Sequence, residues 1–351
     1  MRQRLLNPML WAAVLLGLST APDPHGDPFG FFGPSVVVSL EDRATLERGL
    51  PLVRVLNTEG HELAVFSAIE LTDSATPDRM IAWMHDVAEF RKSSFVLAVQ
   101  RFSNPPRIED LDTLTLDDGD LKDLEECRPG DCGLKLSPAE MYAFRRVIRD
   151  AGTDWKAPML AAFRRTVLQR VTAYSVKGHS ALDAYHDRHR PRSPAVAFDK
   201  LLQHSTFLPD RAPAIAEALK RNPAAQAHLD EFIYWSKERF GGKAVISATH
   251  VRIFRPAGIK GVEVLITGTQ IFATHYLDAC LGITALVRDG RSGRSYFVYF
   301  NRSEVDLLGG FWGHFARRII KGRVEDDGPA ILREVAHRLS SGDPPAPGRP
   351  R

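Results

Sequence analysis

The sequence predicts an α+β fold: a curved antiparallel sheet packed on a C-terminal helix, with a large, mostly helical insertion between the two halves of the sheet. Three observations carry this reading. Apolar and polar positions alternate from Ala244 to Asp306 and then give way to an amphipathic helical pattern reaching Leu339. Near the start, Leu52 to Leu56 and Glu62 to Leu71 flank a turn at Asn57 to Gly60 and read as a hairpin. Between them, residues 107–242 show helical spacing with few strand signals and no fixed-period repeat.

The chain of 351 residues, 44% hydrophobic and 25% charged, has ordinary globular composition and suits one large domain or two smaller ones. Its 46 basic and 43 acidic residues leave a formal charge of +3, too balanced for a nucleic-acid footprint. Arg2 and Arg4, the apolar stretch Leu5 to Leu18 and the small residues Ser19 to Ala21 follow the order of a secretory signal. The alternative, an uncleaved anchor, is opposed by Asn7 and Pro8 and by a stretch short of the roughly 20 apolar residues a span needs. The predicted compartment is therefore periplasmic or extracellular. Cys127 and Cys132 bracket Arg128-Pro129-Gly130-Asp131, a turn that brings two sulfurs together, so these two are expected to form a disulfide and Cys280 to stay free.

In chain order, residues 1–21 read as a signal peptide and 22–35, rich in Pro, Gly and Phe, as a flexible linker. The first half of the sheet domain spans 36–106. After its hairpin, Thr76-Pro77-Asp78 opens a helix expected to reach Lys92, and Phe95 to Phe102 returns as a strand before Pro105. In the helical insertion or cap, 107–242, Ile108 to Glu126 reads as an acidic loop and Ser137 to Glu140 as a capping box. Helices are expected near Trp155 to Val176, Ser180 to His189, Ala195 to His204, Ala212 to Lys220 and Ala225 to Phe240. The second half of the sheet domain, 243–340, carries strands, a capping box at Ser303 to Asp306, and a helix with Leu308, Phe311, Phe315 and Ile319 on one face and a break at Gly328-Pro329. Residues 341–351 read as a disordered tail.

The first and last blocks together resemble the helix-grip family of START-type lipid-binding and polyketide-cyclase-like proteins. The matching residues are Glu62 to Leu71 entering Thr76 to Asp86, and Tyr296 to Arg302 entering the segment with Gly309-Gly310-Phe311 and Arg317-Arg318. The resemblance covers less than half of the chain. It implies a sheet curled around the C-terminal helix with a cavity for a hydrophobic ligand, and the helical middle departs from the family's pattern.

The candidate ligand-binding residues are His250, Arg252, Phe254, Tyr234, Trp235 and His275. His250 lies on the pleat face of Ile246, Ala248, Arg252 and Phe254, a mixed face suited to a cavity, where an imidazole can orient a carbonyl or move a proton. The bland alternative is a histidine hydrogen-bonded within the core. Tyr234 and Trp235 stand where the insertion rejoins the sheet, as a cavity mouth or as ordinary packing. His186 and His189 lack a third ligand, and Asp117 to Asp120 with Glu125 puts Leu114 and Leu116 where a calcium loop needs oxygen, so no metal and no cofactor is expected. The pairs Arg145-Arg146, Arg164-Arg165 and Arg317-Arg318 read as solvated helix faces, with contact to acidic lipid headgroups at a membrane surface as the alternative. No nucleophile elbow, phosphate loop, dinucleotide motif or zinc-protease motif is present. The expected function is binding or carriage of a hydrophobic small molecule or lipid by an exported protein. The alternatives are an enzyme using His250 or His275 as acid-base and an envelope interaction protein with a filled core.

Overall fold

The computed structural model describes residues 27–220, 229–240, 242–309 and 313–341. The predicted signal peptide and almost all of the predicted tail lie outside these residues. Eight strands form one antiparallel sheet in the order β1-β2-β8-β7-β6-β5-β4-β3. They are β1 Leu52–Leu56, β2 Glu62–Leu71, β3 Val96–Arg101, β4 Asp230–Phe240, β5 Lys243–Phe254, β6 Val262–Ala273, β7 Leu277–Arg288 and β8 Ser295–Val305. The helices are α1 Leu40–Leu46, α2 Pro77–His85, α3 Val87–Phe90, α4 Asp118–Glu126, α5 Pro138–Ala151, α6 Lys156–Lys177, α7 Pro194–His204, α8 Phe207–Arg211, α9 Pro213–Lys220 and α10 Gly313–Ser341.

The sheet is the middle of three layers. On one face lie α2, α3 and the long α10, whose Leu332 and Leu339 pack with Met80, Trp83, Ile266 and Phe297. On the other lie α4 to α9, with Trp235, Ile246 and Phe272 buried against α5 and α6, and Phe66, Phe254 and Phe300 buried against α7 to α9. A C-terminal helix laid on one face of an antiparallel sheet is the helix-grip arrangement. Two arginines tie α10 down at its ends: Arg317 donates to the Thr58 hydroxyl and the Gly60 and Glu62 carbonyls, and Arg338 to the Phe90 and Lys92 carbonyls. At Gly328 the helix comes so close to β1 that a Cβ would press on the methyl groups of Val53.

Several expectations are corrected. The described part of the predicted linker is ordered: Phe29, Phe31 and Phe32 are buried in the core, because three large rings outweigh the turn-forming Gly and Pro around them. Asp230–Phe240 is a strand, not the end of a helix. Its aromatic residues suit either state, and pairing with β3 and β5 on both sides decides for the sheet. The insertion therefore links two neighbouring strands, β3 and β4. The expected helix from Ser180 to His189 is a short 3-10 turn, Gly178–Ala181, followed by isolated bridges such as Tyr185 to Arg192. The expected acidic loop contains α4, and the expected helix to Lys92 divides at Asp86, whose side chain caps α3. Ser303 to Asp306 ends β8 without capping a helix, and α10 runs through Pro329 unbroken. Phe315 and Ile319 point to solvent, and Ala316 and Ile320 pack in their place against the cluster of Leu63, Val305 and Leu308. The first arginine of each predicted pair is not simply solvated: Arg145, Arg164 and Arg317 all donate to backbone carbonyls.

Candidate functional site

Cross-strand pairing shows what the α10 side of the sheet presents. One row runs Val251, Gly268, Gly282, Asn301, Val65 and Val55, and the next Ile253, Ile266, Thr284, Tyr299, Ser67 and Val53. The apolar packing on this face separates into two clusters. One lies under α2 and the C-terminal half of α10, and the other gathers Leu63, Val305 and Leu308 near its N-terminal half. Between them the floor is small or polar: Ser247, Thr249, Gly268, Cys280, Gly282 and Asn301, all still partly accessible. We call this strip of small and polar side chains the trough.

The polar groups on the floor are already organised. The Asn301 amide donates to the Tyr299 hydroxyl at 3.2 Å and to Cys280 Sγ at 3.0 Å, and the Ser303 hydroxyl donates to Asn301 Oδ1 at 2.8 Å. Tyr299, accepting from Asn301, keeps its own hydrogen for a further acceptor. Burial pushes the Tyr299 hydroxyl well above the ordinary tyrosine range, so it remains a donor at neutral pH. Over β4 the Arg91 guanidinium meets Glu238 at 2.8 Å and lies 5.6 Å from the centre of the Tyr234 ring. A hollow of about 470 Å³ opens beside it, between residues 92–95 and the middle of α10.

Of the predicted site residues, only Tyr234 faces this trough. His250, Arg252, Phe254 and Trp235 share the opposite face, because the pairs Trp235 with Ala248 and Ile233 with His250 carry them under the insertion. His250 is buried between the Tyr174 hydroxyl, 3.2 Å from Nδ1, and Glu231, 3.0 Å from Nε2. Arg252 donates to Glu231 and to the Ala218 carbonyl. Trp235 donates to the Asp110 carbonyl at 2.8 Å. Phe254 is core. The ring of His179 stacks on Phe198 at 4.0 Å and meets Tyr174 edge-on.

Burial pushes the His179 imidazole down to about 4 from an ordinary value of 6.5. A histidine held neutral in the fold binds its proton more readily when unfolded, so its contribution is intact above pH 6.5 and is lost as the pH falls towards 4. Urea denaturation is expected to show a stability lower at pH 4 than at pH 7 by about 3 kcal/mol from this group, a difference that shrinks in His179→Gln. Equal pH dependence in the two proteins would remove this assignment.

His275 lies elsewhere again, in the turn between β6 and β7 at one end of the sheet. Its neighbour Tyr276 has φ 62°, a left-handed conformation costing about 1 kcal/mol for a side chain with a Cβ. The turn is fixed by hydrogen bonds from Asp306 N–H to the Tyr276 carbonyl and from Lys135 N–H to the Thr274 carbonyl. It borders a polar cleft of about 500 Å³ whose walls include Cys132, joined to Cys127 in a disulfide as expected. Beneath the cleft, Lys135 is 2% exposed and meets Asp278 at 2.7 Å, Asp306 at 3.1 Å and Asp187 at 3.4 Å. Burial works to discharge the Lys135 ammonium, but the carboxylates outweigh it and hold it above its ordinary range. Burial in turn pushes Asp278 up, against the pull of Lys135. Nothing in sequence spacing pointed to this cluster, whose members come from four separate segments.

No family model matches the chain, and no curated protein does. Among solved structures, "Crystal structure of Ara h 8.0201" is 12% identical, over 42% of this chain and 89% of that one, with a TM-score of 0.19. The "di-domain ARO/CYC BexL from the BE-7585A biosynthetic pathway" is 10% identical, over 89% of this chain and 93% of that one, with a TM-score of 0.23. Likenesses of this degree assign neither a ligand nor an activity to this chain.

Proposed function

We propose that the protein binds a small, largely apolar molecule carrying a hydrogen-bond acceptor, seated in the trough between the sheet and α10. The observation that supports this reading is the split of the apolar packing on that face. A face built only for stability fills such a gap with large side chains, and here the gap is floored by two glycines and by Ser247, Thr249 and Cys280. Tyr299 and Asn301 supply the few fixed polar groups that orient a ligand. The role of an exported carrier belongs to this proposal. The disulfide fits an oxidising compartment, and no helix among the described residues is long and apolar enough to cross a membrane.

The alternative of acid-base chemistry at His250 or His275 has less support, because each ring is held at both nitrogens by protein groups. The test begins with organic extraction of the natively purified protein and mass spectrometry of the extract. Binding of the apolar fluorophore 1-anilinonaphthalene-8-sulfonate should be competed by the extracted compound. Tyr299→Phe should weaken that compound by about 0.5–1.5 kcal/mol, a three- to tenfold change, while His250→Ala leaves its affinity alone. An extract without a bound compound, together with fluorophore binding indifferent to Tyr299, would refute the proposal.

A further inference from the structure

At the floor of that polar cleft, His275 is held between two hydrogen-bond acceptors. Nδ1 lies 2.8 Å from the Gly133 carbonyl oxygen and Nε2 lies 2.9 Å from Asp120 Oδ1. The carbonyl can only accept, so Nδ1 carries a hydrogen, and Nε2 faces the Asp120 carboxylate either as a second N–H donor or, with that proton displaced, as a free lone pair for a cation. A proton satisfies that contact in the metal-free protein, and a metal ion that displaces it would take the same lone pair. The second oxygen of Asp120 is buried and has no hydrogen-bond partner among the described residues, although the residue is only 3% exposed.

One helical turn further along α4, Asp123 brings its carboxylate to the same place, and one donor atom from each of Asp120, Asp123 and His275 lies within 4.8 Å of the others. Gly133 permits this: any Cβ there would overlap the Asp123 carboxylate. The positive charge facing Asp123 is the Lys243 ammonium, on a side chain 39% exposed and free to swing into solvent.

We infer that Asp120, Asp123 and His275 form a binding site for one divalent transition-metal ion, of which zinc is the type, with its open coordination position towards the cleft. An imidazole with two carboxylates is a zinc-like donor set, whereas calcium calls for six or more oxygens. The hydrogen bond from Nδ1 to a backbone carbonyl is the support that metal-bound histidines use to present Nε2. Zinc donors about 2.0–2.2 Å from the ion stand roughly 3.4 Å apart. His275 and Asp120 must therefore part slightly, with the unpartnered Oδ2 turning in, and Asp123 must close while Lys243 leaves. The structure corrects the reading of the acidic run around Asp117 to Asp120 as an exposed loop, because α4 carries Asp120 into the interior. The metal site is independent of the trough.

The test uses the full chain, stripped with a chelator and titrated with zinc sulfate by calorimetry, and with cobalt(II) to read the absorption of a nitrogen- and oxygen-ligated ion. One equivalent of zinc is expected per chain. His275→Gln and Asp120→Asn should each weaken it by about tenfold to a hundredfold or more. Because those two side chains are buried, Asp123→Asn and Lys243→Ala, at the accessible rim, give a reading that does not depend on a perturbed core. The first should weaken zinc and the second tighten it, with circular dichroism unchanged. Failure to take up one equivalent, or uptake unaltered in both rim variants, would overturn the assignment.

Discussion

Replacing Lys135 by Met is expected to cost about 3–5 kcal/mol of folding stability, the usual loss when one partner of a buried ion cluster is removed. The size follows from burial on both sides. Lys135 and Asp278 are each 2% exposed, and Asp187 is 5% exposed, so these two carboxylates, once left behind, recover little hydration. Methionine preserves most of the stem's volume, which confines the change to charge. Urea denaturation at pH 7 provides the measurement. The deficit should narrow on acidification, because burial already raises the Asp278 carboxyl and protonation removes the unpaired charge. Lys135→Met combined with Asp278→Asn should lose less than the two single changes summed. A loss under about 1 kcal/mol in Lys135→Met would mean that solvent reaches the cluster and the burial argument fails.

The second large effect concerns the trough. Gly282→Phe is expected to abolish ligand binding, by roughly a hundredfold or about 2.7 kcal/mol, without lowering stability. Gly282 has an ordinary extended backbone, and the nearest atoms to a Cβ there belong to the Tyr299 side chain and the Asn301 amide, at ordinary contact distances of 3.6 Å and more. Glycine weakens a strand interior, so an aromatic residue should hold or raise the melting temperature while its ring fills the space above the floor. Gly268, paired with Gly282 across β6 and β7, should behave the same way. Tyr142→Ala, on an exposed position of α5, serves as the neutral control. Retained fluorophore and ligand binding in a folded Gly282→Phe protein would show that the trough is not the site. A collapse of stability would show that the gap is closed in solution.

The two site hypotheses draw on different physics, and that difference explains which of their parts were legible. His250 was singled out from strand periodicity, and the structure keeps it with Ile246, Ala248, Arg252 and Phe254 on one pleat face. Periodicity identifies a face but not what covers it. The opposite face of the same strand, with Ser247 and Thr249, is the face of the sheet that carries the terminal helix, and small residues there gave no signal because an absence of bulk has no period.

Sequence alone determined the elements whose causes are local. The hairpin β1 to β2 follows from alternation and its turn, α2 and α5 from their caps and N-terminal prolines, and the Cys127–Cys132 bridge from a short turn between two cysteines. The packing of a C-terminal helix on an antiparallel sheet followed from the order of those elements. Tertiary structure decided everything that depends on partners distant in the chain. Asp230–Phe240 became a strand because β3 and β5 offered hydrogen bonds on both edges, and Phe29 to Phe32 became core because a sheet face stood open to them. The Lys135 cluster and the union of His275 with Asp120 join residues 52 to 171 positions apart, whose mutual charge acts through space once water is excluded. Local preference is written along the chain, whereas burial and through-space charge belong to the folded arrangement and can be read only there.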